Sequence, residues 1–194
     1  MSDDGVLRVL TVCTHNRTRS VVAAALLRNH LESRQVTCEV MSAGTTSGGS
    51  PVTEPAREAL AQRNLPLGQH TSTRVTRDMV RRADLVLTAE PDHVVWIAGR
   101  WPEAFPRTFT LPEAATLMSS LAVRPPQPWH EWLDAVAQHR PPVRQYLVRD
   151  AVASVADPTG MAAPAWETMM NDVDRWCGLV ADSVARHARP PDFS

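Results

Sequence analysis

Cys13 is followed by five residues, Thr14, His15, Asn16, Arg17 and Thr18, and then by Arg19 and Ser20. A short β-branched run over 7–12 leads into this segment, and residues 20–34, apolar at 3/4 spacing, leave it. A thiol, a guanidinium and a hydroxyl therefore meet at a strand-to-helix turn. Five intervening residues can curl so that their backbone N–H groups converge on one anion. The helix that follows adds the positive end of its dipole, roughly half a charge. Arg19 can fork two oxygens of that anion. Such a field favours a thiolate over a thiol, and Ser20 can donate a hydrogen bond to it. The chemistry implied is attack by Cys13 on the phosphorus of a bound phosphate group. Alone, Cys-x5-Arg is a loose pattern, and Cys13 could equally be an end-of-strand thiol. The strand before, the helix after and the adjacent Ser20 favour the chemical role.

The rest of the chain supplies elements that can hold such a turn. Strands are predicted over 7–12, 36–41, 84–88 and 107–110. Helices are predicted over 20–34, 53–63, 76–82, 90–98, 112–121, 129–138 and 164–186, with Thr76 capping the third and Pro51 opening the second. Strands alternating with helices argue for a parallel sheet joined by right-handed crossovers. Composition shifts after Ala122, and residues 124–142 hold five Pro and two Trp. That stretch is taken as an insertion or lid, with Trp129 or Trp132 (or Trp96 or Trp101) as possible pocket walls. The last six residues, 189–194, are expected to fray.

Composition narrows the function. With 194 residues, 43% apolar and 21% charged, the chain suits one folded domain over 1–194. Its net charge of −1 argues against nucleic-acid binding through a globally basic surface. Every basic residue is Arg, so Schiff-base chemistry and a P-loop Lys are excluded. No apolar run approaches the roughly 20 residues that span a bilayer, and residues 1–10 lack a signal-peptide pattern. Cytoplasmic location, no membrane partner and no nucleic acid are expected. Three widely spaced Cys and seven scattered His suggest no disulfide framework, no metal site and no cofactor. Cys38 and Cys177 fall on apolar faces, as core thiols. Oligomeric state is not set by these features.

The segment Val12-Cys-Thr-His-Asn-Arg-Thr-Arg-Ser20 resembles the signature loop of the low-molecular-weight protein tyrosine phosphatase family, V-C-x-G-N-x-C-R-S. The likeness continues in order. Ser42-Ala-Gly-Thr45 resembles the family's S-A-G-T, residues 67–74 resemble its H-x-A-R-Q segment, and residues 83–87 resemble its third strand. Asp157-Pro158 resembles its general-acid loop, and it precedes a long C-terminal helix as in the family. Arsenate reductases share the scaffold.

The resemblance implies an α/β domain with a four-stranded parallel sheet of flavodoxin-like order, flanked by helices. A Pro/Trp-rich insertion, about 119–150, would precede the general-acid loop. It also implies a two-step phosphomonoester hydrolysis, most simply of protein phosphotyrosine or a small phosphomonoester. Cys13 would form a phosphocysteine, and Asp157 would protonate the leaving oxygen and then activate water. Asp150 and Asp172 are the other acid candidates. Thr14, His15, Asn16, Arg17, Thr18 and Ser20 would form the phosphate-binding loop with Arg19, and Asn16 would hold a left-handed turn in it. Ser42 and His70 would complete a polar network behind it.

Three residues depart from the family pattern. His15 replaces a Gly, Thr18 replaces a second Cys found in many relatives, and Thr159 stands where phosphotyrosine-specific relatives carry an aromatic. Two other functions compete. An arsenate reductase of the thioredoxin-coupled kind needs two further Cys near 88–97, which that segment lacks. A catalytically weak phosphoprotein-binding module would not need Cys13, Arg19, Ser20 and Asp157 together.

Overall fold

The computed structural model describes residues 5–46, 48–121 and 129–188. Four strands, β1 (Leu7–Cys13), β2 (Cys38–Gly44), β3 (Leu85–Thr88) and β4 (Thr108–Thr110), form one parallel sheet in the order β2-β1-β3-β4. The helices are α1 (Arg19–Ser33), α2 (Glu54–Ala61), α3 (Arg77–Arg82), α4 (Pro91–Ala98), α5 (Leu111–Ser120), α6 (Trp129–Ala137) and α7 (Ala163–Ala188). Short 3-10 turns cover Pro102–Arg107 and Val143–Leu147.

Both faces of the sheet are covered, so its strands bury residues of either parity. Val9, Leu85 and Leu87 join α1, α5 and α7 in the larger core. Leu10, Val12 and Val86 face the smaller core with Val80 of α3 and Ile97 of α4. The long amphipathic α7 packs along α1 and α5, and it places Met170, Val173, Cys177, Val180 and Val184 inward.

Two elements differ from expectation. β2 runs on through Ser42, Ala43 and Gly44, which pair with Thr11, Val12 and Cys13. Small residues carry little strand propensity of their own, and here the partner strand supplies the order. Pro51 does not open α2. It bridges Thr71, while Thr53 caps the helix and Pro55 occupies its first turn.

The stretch after α5 is only partly described, since residues 122–128 lie outside the described residues, as do 189–194. What is described packs inward. Trp132, Leu133 and Val136 of α6 belong to the larger core. Trp132 stacks on His187 of α7 at 4.8 Å, and Trp129 lies 5.2 Å from the same ring. Arg140 is clamped at the sheet edge. It donates to Tyr146 Oη at 2.7 Å and to the Thr108 carbonyl at 2.7 Å, and its guanidinium sits 4.0 Å over the Phe105 ring. Tyr146 in turn donates to the Glu113 carboxylate, whose pKa burial pushes above the usual range. The described part, from Trp129 to Tyr146, is anchored to the core rather than poised as a lid. Trp132→Ala should therefore cost roughly 3–5 kcal/mol of stability, the usual scale for deleting a large buried ring. Urea unfolding measures that loss. A stability near that of the parent protein, with weakened ligand binding instead, would restore the lid.

Candidate active site

β1 ends on Cys13, and the chain reverses over 14–18 before α1 begins at Arg19. The reversal is made at Asn16, whose φ is +53°. That left-handed conformation costs most L-residues about 1–2 kcal/mol. Asn tolerates it best, and here both polar atoms of its side chain are engaged. Nδ2 donates to Ser20 Oγ at 3.1 Å and to Ser42 Oγ at 2.8 Å, and Oδ1 accepts the Thr73 amide at 2.9 Å. His70 Nε2 donates to the Asn16 carbonyl at 3.0 Å. Asn16, Ser20, Ser42 and His70, drawn from four separate segments, thus meet behind the loop.

Cys13 is 3% exposed. Its Sγ accepts the Asn16 amide at 3.3 Å and lies 3.1 Å from Ser20 Oγ. Ser20 Oγ accepts a hydrogen bond from Asn16 Nδ2 and can give its own hydrogen to the sulfur. A thiolate at Cys13 would then be met by two donors. Gly44 lets the loop close this tightly. A Cβ there would lie 2.8 Å from the Thr14 carbonyl oxygen and 2.9 Å from the Asn16 nitrogen. The next strand end pins the loop from the same side, since the Thr45 and Thr46 amides donate to the Cys13 and Thr14 carbonyls.

Arg19, only 5% exposed, lies between two carboxylates. Its Nη1 pairs with Glu90 and reaches the Val155 carbonyl at 3.3 Å, and its Nη2 pairs with Asp157 Oδ2 at 2.9 Å. The Asp157 side chain is 45% exposed. Burial works to raise its pKa, but the Thr159 hydroxyl and amide, with the charges of Arg19 and His15, outweigh that and hold the carboxyl below its usual range.

Cys13, Thr14, Arg19 and Asp157 line one cavity of about 80 Å³, with His15, Arg17, Thr18, Thr53 and Thr159 around them. Among the described residues, no Phe, Tyr or Trp side chain lines it. Trp129 and Trp132 pack on α7, and Trp96 pairs edge-on with Trp101 at 5.7 Å, so none of the four supplies the expected wall. Asp150 pairs with Arg149 and Asp172 with Arg175, away from this cavity. Among the described residues, no group of three His, Cys, Asp or Glu could hold a metal. Cys177 is buried as expected. Cys38 is only half-buried, and burial raises its thiol pKa.

Two residues at the site carry no sequence signal of their own. Glu90, the N-cap of α4, holds Arg19. His93, 4% exposed, accepts the Glu90 amide on Nδ1 at 3.1 Å and places Nε2 3.0 Å from Thr14 Oγ1. The one available hint is position: both follow directly on the strand that neighbours β1.

Comparison with known proteins gives the family and the fold. The family model described as low molecular weight phosphotyrosine protein phosphatase matches residues 8–111. The chain is 34% identical over 109 residues to a protein-arginine-phosphatase of Bacillus subtilis, covering 56% of this chain and 72% of that protein. It is 34% identical over 106 residues to a probable low molecular weight protein-tyrosine-phosphatase of Ralstonia solanacearum, covering 54% of this chain and 70% of that one. The solution structure of a low molecular weight protein tyrosine phosphatase from Bacillus subtilis superposes with a TM-score of 0.70 at 23% identity, over 94% of this chain and all of that one. That last likeness establishes a shared fold. The family match spans Cys13 to His93 and stops before Asp157.

Gly44→Ala should weaken binding of inorganic phosphate by roughly tenfold or more, because misplacing a site by about 1 Å can cost up to 10²-fold. Calorimetric titration reads this directly. Unchanged affinity would show that the close approach at Gly44 does not shape the cavity.

Proposed function

Given that this chain belongs to the low molecular weight phosphotyrosine protein phosphatase family, we propose that it hydrolyses phosphomonoesters through a phosphocysteine on Cys13, with phosphotyrosine on proteins as its principal substrate. The observation that carries this is the meeting of Cys13, Arg19 and Asp157 in one cavity.

The phosphoryl group sits in the 14–18 loop over Cys13, with two of its oxygens on the Arg19 fork. Those oxygens take the place that the Asp157 carboxylate holds on Arg19. Glu90 keeps the other side of the guanidinium. Asp157 thereby loses a cationic partner and gains an anionic neighbour. Both changes raise its proton affinity. A phosphomonoester monoanion, whose last pKa is near 6, brings the proton that Asp157 then holds. The sulfur–phosphorus bond forms as the phosphorus–oxygen bond breaks, and the Asp157 proton passes to the leaving oxygen. In the second step water attacks phosphorus, its proton returns to Asp157, and the thiolate leaves. Loop amides and Arg19 hold the charge on the equatorial oxygens throughout.

The cavity mouth bears on substrate choice. Arg17 lines the same cavity as Cys13 and Asp157, with its Nε on the Pro51 carbonyl at 2.9 Å, so a leaving group protonated by Asp157 would depart near its charge. Arginine would depart from phosphorus as a cation, which Arg17 opposes, whereas a phenol departs neutral. Thr159 cannot stack on that phenol, a contact worth roughly 0.5–1.5 kcal/mol, so selectivity against alkyl phosphates is reduced by about tenfold and phosphotyrosine is still accepted. The nucleophile must stay reduced, and the three cysteines are unpaired. A reducing compartment such as the cytoplasm suits both facts.

The direct test is turnover of a phosphotyrosine peptide and a phosphoarginine peptide by the parent chain and by Cys13→Ser. The parent should cleave the first and leave the second largely intact. Cys13→Ser should cleave neither while still binding phosphate, because Arg19 and the loop remain. Preferred cleavage of phosphoarginine would overturn the substrate assignment, and activity in Cys13→Ser would overturn the nucleophile.

Asp157→Asn should lower kcat by roughly 10²–10⁴, and more for alkyl than for nitrophenyl phosphates, whose leaving groups need no proton. In the parent, kcat/KM should fall as pH rises through about 6, where the substrate monoanion is lost. Equal losses across leaving groups would remove Asp157 from the acid role.

A further inference from the structure

His93 takes no part in the steps above, yet it is buried and spans two parts of the machinery. Its tautomer follows from its partners. The Glu90 backbone N–H can only donate, so Nδ1, 3.1 Å away, is the unprotonated acceptor. The single proton of the neutral ring then sits on Nε2 and points at Thr14 Oγ1, 3.0 Å away. Burial, with the charge of Arg19, outweighs Glu90 and Asp92 and lowers the His93 pKa to about 4, so the ring stays neutral near pH 7.

This direction has a consequence for Thr14. The Thr14 hydroxyl accepts from His93, so its own hydrogen is left over. Thr14 lines the cavity, and its carbonyl is held on the other side by the Thr46 amide at 3.0 Å and hydroxyl at 2.8 Å. The residue cannot swing away. We propose that His93 is a positioning residue that fixes Thr14 Oγ1–H as a hydrogen-bond donor to the phosphoryl group, in line with the loop amides. A hydrogen bond received from the ring also polarises the hydroxyl and strengthens the one it gives. The same ring braces Glu90, the residue whose carboxylate holds Arg19. One side chain thus sets both the first loop residue and the N-cap that positions the guanidinium. The proposal rests on the phosphate-binding role of the 14–18 loop, and its test separates the two.

The test compares His93→Phe, His93→Gln and Thr14→Val, singly and as the double variant Thr14→Val with His93→Phe, in kcat for nitrophenyl phosphate and in affinity for orthovanadate. Gln can offer a carbonyl to the Glu90 amide and an N–H to Thr14, which reproduces the neutral ring. His93→Phe should lose about tenfold in kcat and in vanadate affinity, the scale of one hydrogen bond to a charged group. His93→Gln should recover most of it, and Thr14→Val should match His93→Phe. The double variant should be little worse than either single one, because both remove the same hydrogen bond. Thermal melting, read alongside, separates this from a packing defect. A Phe variant that melts lower but keeps kcat and vanadate affinity would reduce His93 to a helix cap. Multiplying losses in the double variant would show that it does not act through Thr14. Should His93→Phe fail to fold, Thr14→Val and His93→Gln still decide: Thr14→Val at parental affinity overturns the proposal. A parent chain that binds vanadate but turns over no phosphomonoester would contradict the proposed function and leave the affinity comparison intact.

Discussion

A five-residue loop can cup an anion only if the chain reverses inside it, and here the reversal depends on one buried amide side chain. Asn16 holds a positive φ and commits both amide hydrogens and its carbonyl oxygen to Ser20 of α1, Ser42 of β2 and the backbone at Thr73. Each partner belongs to a different segment, so the loop shape, the β1–β2 register and the path of 70–75 are set together. The same contact orients Ser20 toward Cys13. Buried polar groups left unpaired are costly, which makes this cluster stand or fall as a unit.

Charge imposes the second constraint. A guanidinium as enclosed as that of Arg19 needs counter-charges, and Glu90 and Asp157 provide them. The two carboxylates are held differently. Glu90 caps α4, whereas Asp157 lies in a loop and is largely open to solvent. An incoming phosphoryl group can replace the second without disturbing the first. That asymmetry couples anion binding to the proton affinity of Asp157, as the general-acid role proposed for it requires.

The scaffold keeps these groups apart from its own stability. The site sits at the carboxyl end of β1, where α1 begins, beside the carboxyl end of β3, where α4 begins. The larger core, built on α1, α5, α6 and α7, lies on one face of the sheet. The Arg140 cluster that secures 140–146 is at the far edge, against β4 and α5.

The placing of Cys13 and Arg19 on a strand-turn-helix was legible in the sequence, because all of it is local. A short β-branched run, five turn residues and a period-3.6 run leave few other shapes for that stretch. Alternating strands and helices likewise gave the parallel sheet. Other features were decided only by the assembled fold. Ser42–Gly44 look like loop residues and become strand through pairing with β1. Gly44 matters because Thr14 and Asn16 come within 3 Å of where a Cβ would be. The Trp residues of 129–132, candidates for a pocket wall by composition, are drawn into the core by α7. Asp157 alone reads as an ordinary Asp-Pro turn, and Glu90 and His93 read as surface residues of a helix start. Their roles come from charges and hydrogen bonds between residues far apart in the chain. Spacing along a sequence dictates backbone shape, but which buried charge meets which carboxylate is settled only when crossover connections bring separate strand ends together.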